Sequence, residues 1–175
     1  MSKNAQHWWA DCSNKRLHVG PTVRKGYVEV IAKMKELGFT TLLNENVILK
    51  IGEQNLMIAG VRDPAGENAV ADDAPNAKQT ATTYEKVDLK ILLAHKPDAC
   101  EEAEGLGFDL PFSGHTHAGQ FFPFSLFIGL AHRYAGGLYQ HGRMWAYVNL
   151  GSGYWGPADR LGVRSEITLV TLDMI

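Results

Sequence analysis

A strand, a helix and a second strand between residues 89 and 112 constrain the fold of this chain more than any other feature. Leu89–Ala94 is a mostly apolar run typical of a buried strand, and Phe108–Phe112 is a second run of this kind. Between them, Pro97–Leu106 has the proline start of a helix and is followed by the helix-ending Gly107. Because strands joined by a crossover helix are parallel neighbours, the sequence predicts an α/β fold.

The remaining patterns add elements on both sides of this unit. From Lys25 to Gly38, apolar residues recur three and four apart, which predicts one helix. Three β-rich runs follow, and they predict two or three strands with a hairpin at the end: Thr40–Leu43, Val47–Ile51 and Asn55–Val61. Two more runs predict the last strands, on either side of a glycine-rich loop: Met144–Val148 and Glu166–Leu172. Residues 62–83 have the composition of a long loop, and residues 1–24 are assigned to no element.

Composition excludes several classes of protein. With 45% hydrophobic and 21% charged residues, the 175-residue chain is expected to fold as one domain or as part of a larger one. A net charge of -2 provides no basic field, which argues against nucleic-acid binding through bulk charge. Two cysteines make no disulfide framework, and no secretory or membrane-spanning segment is predicted. We therefore expect a cytoplasmic location.

Three histidines follow the two strands of the βαβ unit at their carboxyl ends. His95 follows the first strand, while His115 and His117 follow the second, between Gly114 and Gly119. Parallel neighbours end at the same edge of a sheet, where α/β proteins bind ligands. Neutral imidazole suits transition metals such as zinc and iron, and two histidines two residues apart can point to one side. The sequence therefore predicts that His95, His115 and His117 bind metal.

Five further residues are candidates for orienting these histidines or for touching a substrate. Asp63 follows another predicted strand, and a carboxylate beside an imidazole commonly fixes the ring. Asp98 lies near the same edge, although its place at the start of a helix favours a role in helix capping. Gly114, Thr116 and Gln120 share the loop of the histidines.

Several motifs resemble those of the calcineurin-like metallophosphoesterases, in particular their membrane-associated bacterial branch. They are LLAHKPD at 92–98, SGHTHAGQ at 113–120, and the tail from NLGSGYWGP at 149–157 to SEITL at 165–169. The likeness extends over roughly residues 25–172. It implies part of a four-layer αββα sandwich, with a mixed sheet whose parallel βαβ unit carries the metal-site loops.

The resemblance also implies an activity. Members hydrolyse phosphodiesters or phosphomonoesters with two divalent ions, such as Mn, Fe or Zn, which bind phosphate and generate a nucleophilic hydroxide. By motif match, His95 and His115 resemble ligands of one ion, and His117 resembles a ligand of the other. The second glycine of the family motif is Ala118 here, a change that should matter little if its backbone φ is negative.

The upstream motifs of the family have no match in this chain. Asp-x-His, Gly-Asp and Gly-Asn-His are all missing, and residues 17–24, where the last is expected, do not fit. Residues 25–175 therefore resemble the C-terminal portion of such a domain, and no catalytic residue is assigned. Two neighbouring cations repel without a bridging anion, so we expect only one ion here, or a complementing chain that completes the site.

Two alternatives to this phosphoesterase hypothesis remain open. One is a hydrolase with a single metal ion held by three histidines, and the other is a non-catalytic remnant of the family. The substrate is equally open. The apolar segment 121–131 directly follows the histidine loop. Such a run is more often a buried loop or core segment than a membrane contact, and in the membrane-associated branch it suggests a lipid-like phosphoester as one option beside a small soluble phosphoester.

Overall fold

The structure is a computed structural model that describes residues 21–64 and 74–173. Most of the unassigned segment 1–24 and the middle of the predicted loop 62–83 lie outside the described residues. Within them, six strands form one sheet: β1 (Glu45–Ile51), β2 (Gln54–Gly60), β3 (Leu89–Leu93), β4 (Leu110–Ser113), β5 (Gly137–His141) and β6 (Met144–Val148).

The sheet is mixed, with a parallel centre and an antiparallel hairpin at each end. Its order is β1-β2-β3-β4-β6-β5. The central strands β2, β3, β4 and β6 are parallel in succession, while β1 pairs antiparallel with β2 and β5 with β6. The parallel β3–β4 pair and the β1–β2 hairpin confirm the sequence predictions. In consequence, four strands have their carboxyl ends at one edge of the sheet.

Four α-helices accompany the sheet in the described residues: α1 (Pro21–Glu36), α2 (Ala77–Ala81), α3 (Asp98–Glu104) and α4 (Ile128–Ala131). Helix α1 begins four residues before the predicted start, and Gly38, with φ of +84°, follows its end as expected. Helix α3 is the crossover between β3 and β4. It buries Cys100 and Ala103 in the same core as the sheet residues Met57 and Leu92.

Two predicted strands are not strands in the structure. Thr40–Leu43 runs without strand pairing into Asn44, whose φ of +60° turns the chain before β1. Glu166–Leu172 has the alternating pattern of a strand, but no strand pairs with it among the described residues. Ile167 and Leu169 are each 92% exposed there. A strand requires a neighbour for its backbone groups, and the pattern alone does not supply one.

Strand β5 was not predicted from the sequence. It forms a hairpin with β6, connected by the tight turn at Gly142 and Arg143. Strand β5 lies at the edge of the sheet, and none of its residues is fully buried. Its sequence therefore lacks the strong apolar pattern by which a strand is predicted.

Gly60, the last residue of β2, lies directly against Leu42. A Cβ at Gly60 would come within 2.6 Å of the Leu42 Cβ and 2.8 Å of the Leu42 carbonyl oxygen. We therefore expect Gly60→Ala to lower the free energy of unfolding by about 1–3 kcal/mol, the usual cost of overpacking. The matched control is Gly105→Ala, where a Cβ meets nothing within 4 Å and φ is -80°. This control should be neutral or slightly stabilising. Equal urea midpoints for the two variants would contradict the expectation.

Candidate metal centre

The carboxyl ends of the parallel strands bring three of the predicted side chains together. Asp63, His95 and His115 follow β2, β3 and β4 within two or three residues. Backbone pairing continues past β3 and β4, because the Gly114 amide donates to the His95 carbonyl oxygen at 3.1 Å. The two histidine loops are thereby held side by side.

His95 and His115 face each other through their ring nitrogens. His115 Nδ1 and His95 Nε2 are 2.9 Å apart, and the ring planes are inclined by 70°. The Asp63 Oδ2 atom lies 3.7 Å from the same His95 nitrogen. Two nitrogens that bind one zinc ion at about 2.1 Å in tetrahedral geometry lie roughly 3.4 Å apart. The imidazole pair, now at hydrogen-bonding distance, is about 0.5 Å closer than that, so the rings need to separate only slightly to hold one ion.

Both rings are neutral at ordinary pH. Burial lowers the pKa of His95, against the opposing effect of Asp63. Burial, together with the neighbouring His95, lowers the pKa of His115 to about 4. Neutral imidazole is the form that binds a metal, so the environment of the pair favours ligation.

His117 is bound by an arginine, and it lies near enough to His95 for the two rings to interact electrostatically. Arg160 Nη2 donates to His117 Nδ1 at 2.7 Å and to the Leu150 carbonyl oxygen at 2.9 Å. Burial, and then the charge of Arg160, lower the pKa of His117. Because Nδ1 accepts a hydrogen bond, the neutral His117 ring carries its proton on Nε2. With Arg160 bound, neither ring nitrogen of His117 therefore offers a free lone pair to a metal ion.

Arg160 is the main residue that the sequence analysis missed. It lies in the glycine-rich loop after β6, and its position after a parallel strand was the one available signal. Gly151 permits the contact, since its φ is +79° and a Cβ there would lie 2.8 Å from His117 Cε1. A glycine is needed where this loop passes the ring.

The histidine pair is not a complete set of protein ligands. Across residues 21–64 and 74–173, no group of three or more His, Cys, Asp or Glu side chains is arranged to hold a metal ion. The donor chemistry of His95 and His115 fits a divalent ion, whereas that of His117 fits less well while Arg160 binds it.

The loop that carries the histidines has an unusual backbone. His115, His117, Ala118 and Gln120 all have positive φ angles, between 48° and 70°. Such strain is typical of functional sites and persists only where the surroundings hold it. The replacement of the family's glycine by Ala118 was expected to matter little if φ there were negative, but φ is +48°. Alanine therefore costs about 1 kcal/mol here that the glycine of the family motif avoids.

Thr116 and Gln120 hold this loop to its neighbours. Both are buried, and the Thr116 hydroxyl donates to the Ala135 carbonyl oxygen at 2.5 Å. Gln120 Nε2 donates to the Trp155 carbonyl oxygen at 2.9 Å, and the Trp155 amide donates back to Gln120 Oε1 at 2.7 Å. The polar groups of these two candidates are thus engaged with backbone.

Asp98 lies outside the histidine cluster. It is an exposed residue in the first turn of α3, where a carboxylate interacts favourably with the helix dipole. Its Oδ1 atom lies 3.7 Å from His132 Nδ1. This position agrees with the helix-terminal role that the sequence favoured.

Curated relatives identify the family, although no family model matches the chain. An uncharacterized metallophosphoesterase of Helicobacter pylori strain J99 is 40% identical over 149 residues, which are 84% of this chain and 39% of that protein. An uncharacterized metallophosphoesterase of Campylobacter jejuni is 36% identical over 141 residues, 79% of this chain and 36% of that protein. The chain belongs to the calcineurin-like metallophosphoesterase family. It spans about two fifths of the length of these metallophosphoesterases.

A relative that matches over a shorter stretch is described as a transmembrane protein. A transmembrane protein with a metallophosphoesterase domain from Danio rerio is 42% identical over 85 residues, 47% of this chain and 20% of that protein. In the part of our chain that the structure describes, no helix is both long and apolar enough to cross a bilayer. Among solved structures, a Thermus thermophilus sulfate thiohydrolase matches at a TM-score of 0.40 and 19% identity. That match covers 65% of this chain and 21% of the thiohydrolase.

Gly151→Ala should disturb His117 specifically. The added Cβ would press on the ring and move it from Arg160, so the pKa of His117 should rise as the cationic neighbour is lost. Gly156→Ala is the matched control, because its φ of +64° carries similar backbone strain while a Cβ there meets nothing within 4 Å. NMR titration of the histidine rings measures both effects. Unchanged His117 resonances in Gly151→Ala would disprove this close packing.

Proposed function

We propose that this chain supplies the His95–His115 pair to the divalent-metal site of an enzyme that hydrolyses phosphoesters. The observation that carries the proposal is the pair of neutral imidazoles, whose facing nitrogens are 2.9 Å apart at the ends of adjacent parallel strands. Membership of the metallophosphoesterase family supports it. A divalent ion bound there supplies a Lewis acid for a phosphoryl oxygen and acidifies water near neutral pH.

The protein groups have separate roles in this proposal. His115 Nδ1 and His95 Nε2 hold the ion, and the Asp63 carboxylate, whose Oδ2 atom lies 3.7 Å from the same His95 nitrogen, adds negative charge on the side of the ion. The strained loop fixes the direction of His115. Further ligands come from outside the described residues, in this chain, in a longer polypeptide or in a complementing chain.

A single ion is the stoichiometry we propose for this chain alone. By motif His117 belongs to a second ion, but Arg160 occupies its Nδ1 atom and places positive charge beside it. The bond from Arg160 to His117 likewise disfavours the alternative of one ion held by all three histidines. A non-catalytic remnant remains the competing hypothesis, and it predicts no dependence of metal binding on these side chains.

Metal stoichiometry tests the proposal. After stripping and reloading with Mn²⁺, elemental analysis of the 175-residue protein should find about one ion per chain. His95→Ala and His115→Ala should each lose it, since one imidazole binds far more weakly than two, whereas His117→Ala should retain it. His141→Ala is the control, because His141 lies at the opposite end of the sheet beside Glu104. Retention of the ion by both His95→Ala and His115→Ala would favour the remnant hypothesis.

A phosphoester with an apolar group is the substrate class we propose. Supporting it, the segment after the histidine loop exposes large apolar side chains, among them Phe122, Leu126 and Leu130, the last 85% exposed. The Phe122 amide donates to the Leu161 carbonyl oxygen at 2.9 Å, which joins this segment to the loop of Arg160. An apolar chain that covers these side chains gains roughly 25 cal/mol per Å² of buried area.

Dodecyl phosphate, used below its micelle concentration, tests this class. Calorimetry should show tighter binding than for inorganic phosphate, and Leu130→Ser should weaken it several-fold, because Leu130 contributes apolar surface. Leu49→Ser, an exposed apolar position on the distant edge strand β1, should leave the affinity unchanged. Equal affinities for the two phosphates would argue for a polar substrate.

A further inference from the structure

A surface cavity adjoins the metal centre on the side of His117. Its volume is about 510 Å³, and it is lined by Arg160, Gly162, Val163, Arg164 and Ser165. Arg160 belongs to both places, since its Nη2 atom is 2.7 Å from His117 Nδ1. Two guanidinium groups and one hydroxyl therefore border a cavity next to the histidine loop.

The charge of Arg160 is fixed in position. Nε donates to the Gly153 carbonyl oxygen at 2.7 Å, and Nη1 donates to the Arg164 carbonyl oxygen at 3.1 Å. With the two bonds from Nη2, four of the five N–H groups are used, all of them by uncharged acceptors. No carboxylate pairs with Arg160 within the described residues, so its positive charge is not neutralised there.

Arg164 is the second arginine of the cavity, and its side chain is exposed to solvent. The hydrogen bond from Arg160 fixes the Arg164 backbone, while the Arg164 side chain makes no ion pair in residues 21–64 or 74–173. The adjacent carboxylate, Glu166, is directed elsewhere, because its Oε2 atom accepts from the Leu150 amide at 3.0 Å. The cavity thus has two cationic groups, the Ser165 hydroxyl and no lining carboxylate.

We propose that this cavity binds a phosphoryl dianion of the substrate, with Arg160 as a fixed charge, Arg164 as a bidentate donor and Ser165 as a hydroxyl donor. Planar guanidinium groups match two phosphoryl oxygens, and two positive charges balance a dianion better than a monoanion. The inference rests on the proposed phosphoesterase function and narrows it. Phosphomonoesters, rather than diesters, are the preferred substrates.

Calorimetry of the complete chain in EDTA tests the cavity separately from the metal site. Inorganic phosphate should bind the wild type, and Arg164→Gln should weaken this binding about tenfold, the loss of a charge-assisted contact. Arg143→Gln is the control for charge, since Arg143 lies in the β5–β6 turn far from the cavity. Dimethyl phosphate, a monoanionic diester, should bind several-fold more weakly than phosphate. Because Arg164 is exposed, the variant should fold normally.

The outcomes separate this inference from the proposed function. No phosphate binding in EDTA, equal weakening in Arg143→Gln and Arg164→Gln, or equal affinity for dimethyl phosphate would each overturn the cavity assignment. Manganese stoichiometry should be the same in Arg164→Gln and wild type. Normal phosphate binding in a protein that fails to load metal would sustain the anion site and refute the metal-site proposal.

Discussion

The parallel pairing of β3 with β4 is the constraint on which the candidate centre depends. The pairing continues beyond both strands, through the hydrogen bond from the Gly114 amide to the His95 carbonyl oxygen, and so sets one histidine loop against the other. A register shift of one residue would reverse the side chains of a strand between core and surface. Buried residues such as Leu92 prevent this shift, so the packing of the core determines where the two imidazoles meet.

The sequence was sufficient where structure depends on neighbouring residues. The apolar run at 89–94, the helix between Pro97 and Gly107 and the histidines after each strand are all local signals, and together they predicted the βαβ unit and its ligand edge. It was insufficient where an element depends on a partner. Glu166–Leu172 has a strand pattern but no neighbouring strand in the described residues, and β5 is held at the sheet edge by β6 rather than by its own composition.

The contacts that shape the site join residues far apart in the chain. Arg160 meets His117 across 43 residues, and Gln120 meets Trp155 across 35. A single arginine in a glycine-rich loop has no periodicity that would reveal its partner. The backbone of the histidine loop could not be predicted either, since the positive φ of Ala118 runs against the preference of alanine.

The proposed preference for a phosphoryl group rests on the distribution of charge around the histidine loop. His95 and His115 are neutral and close, so they accept a cation at little electrostatic cost. His117 already has the Arg160 guanidinium at its Nδ1 atom, and a second cation there would compete with that group and be repelled by it. The positive charge beside His117 is therefore supplied by a covalently attached side chain. With the proposed ion held by the histidine pair, a dianion that reached from this ion to the arginines would lie between two centres of positive charge, which favours it over a monoanion by simple Coulomb attraction.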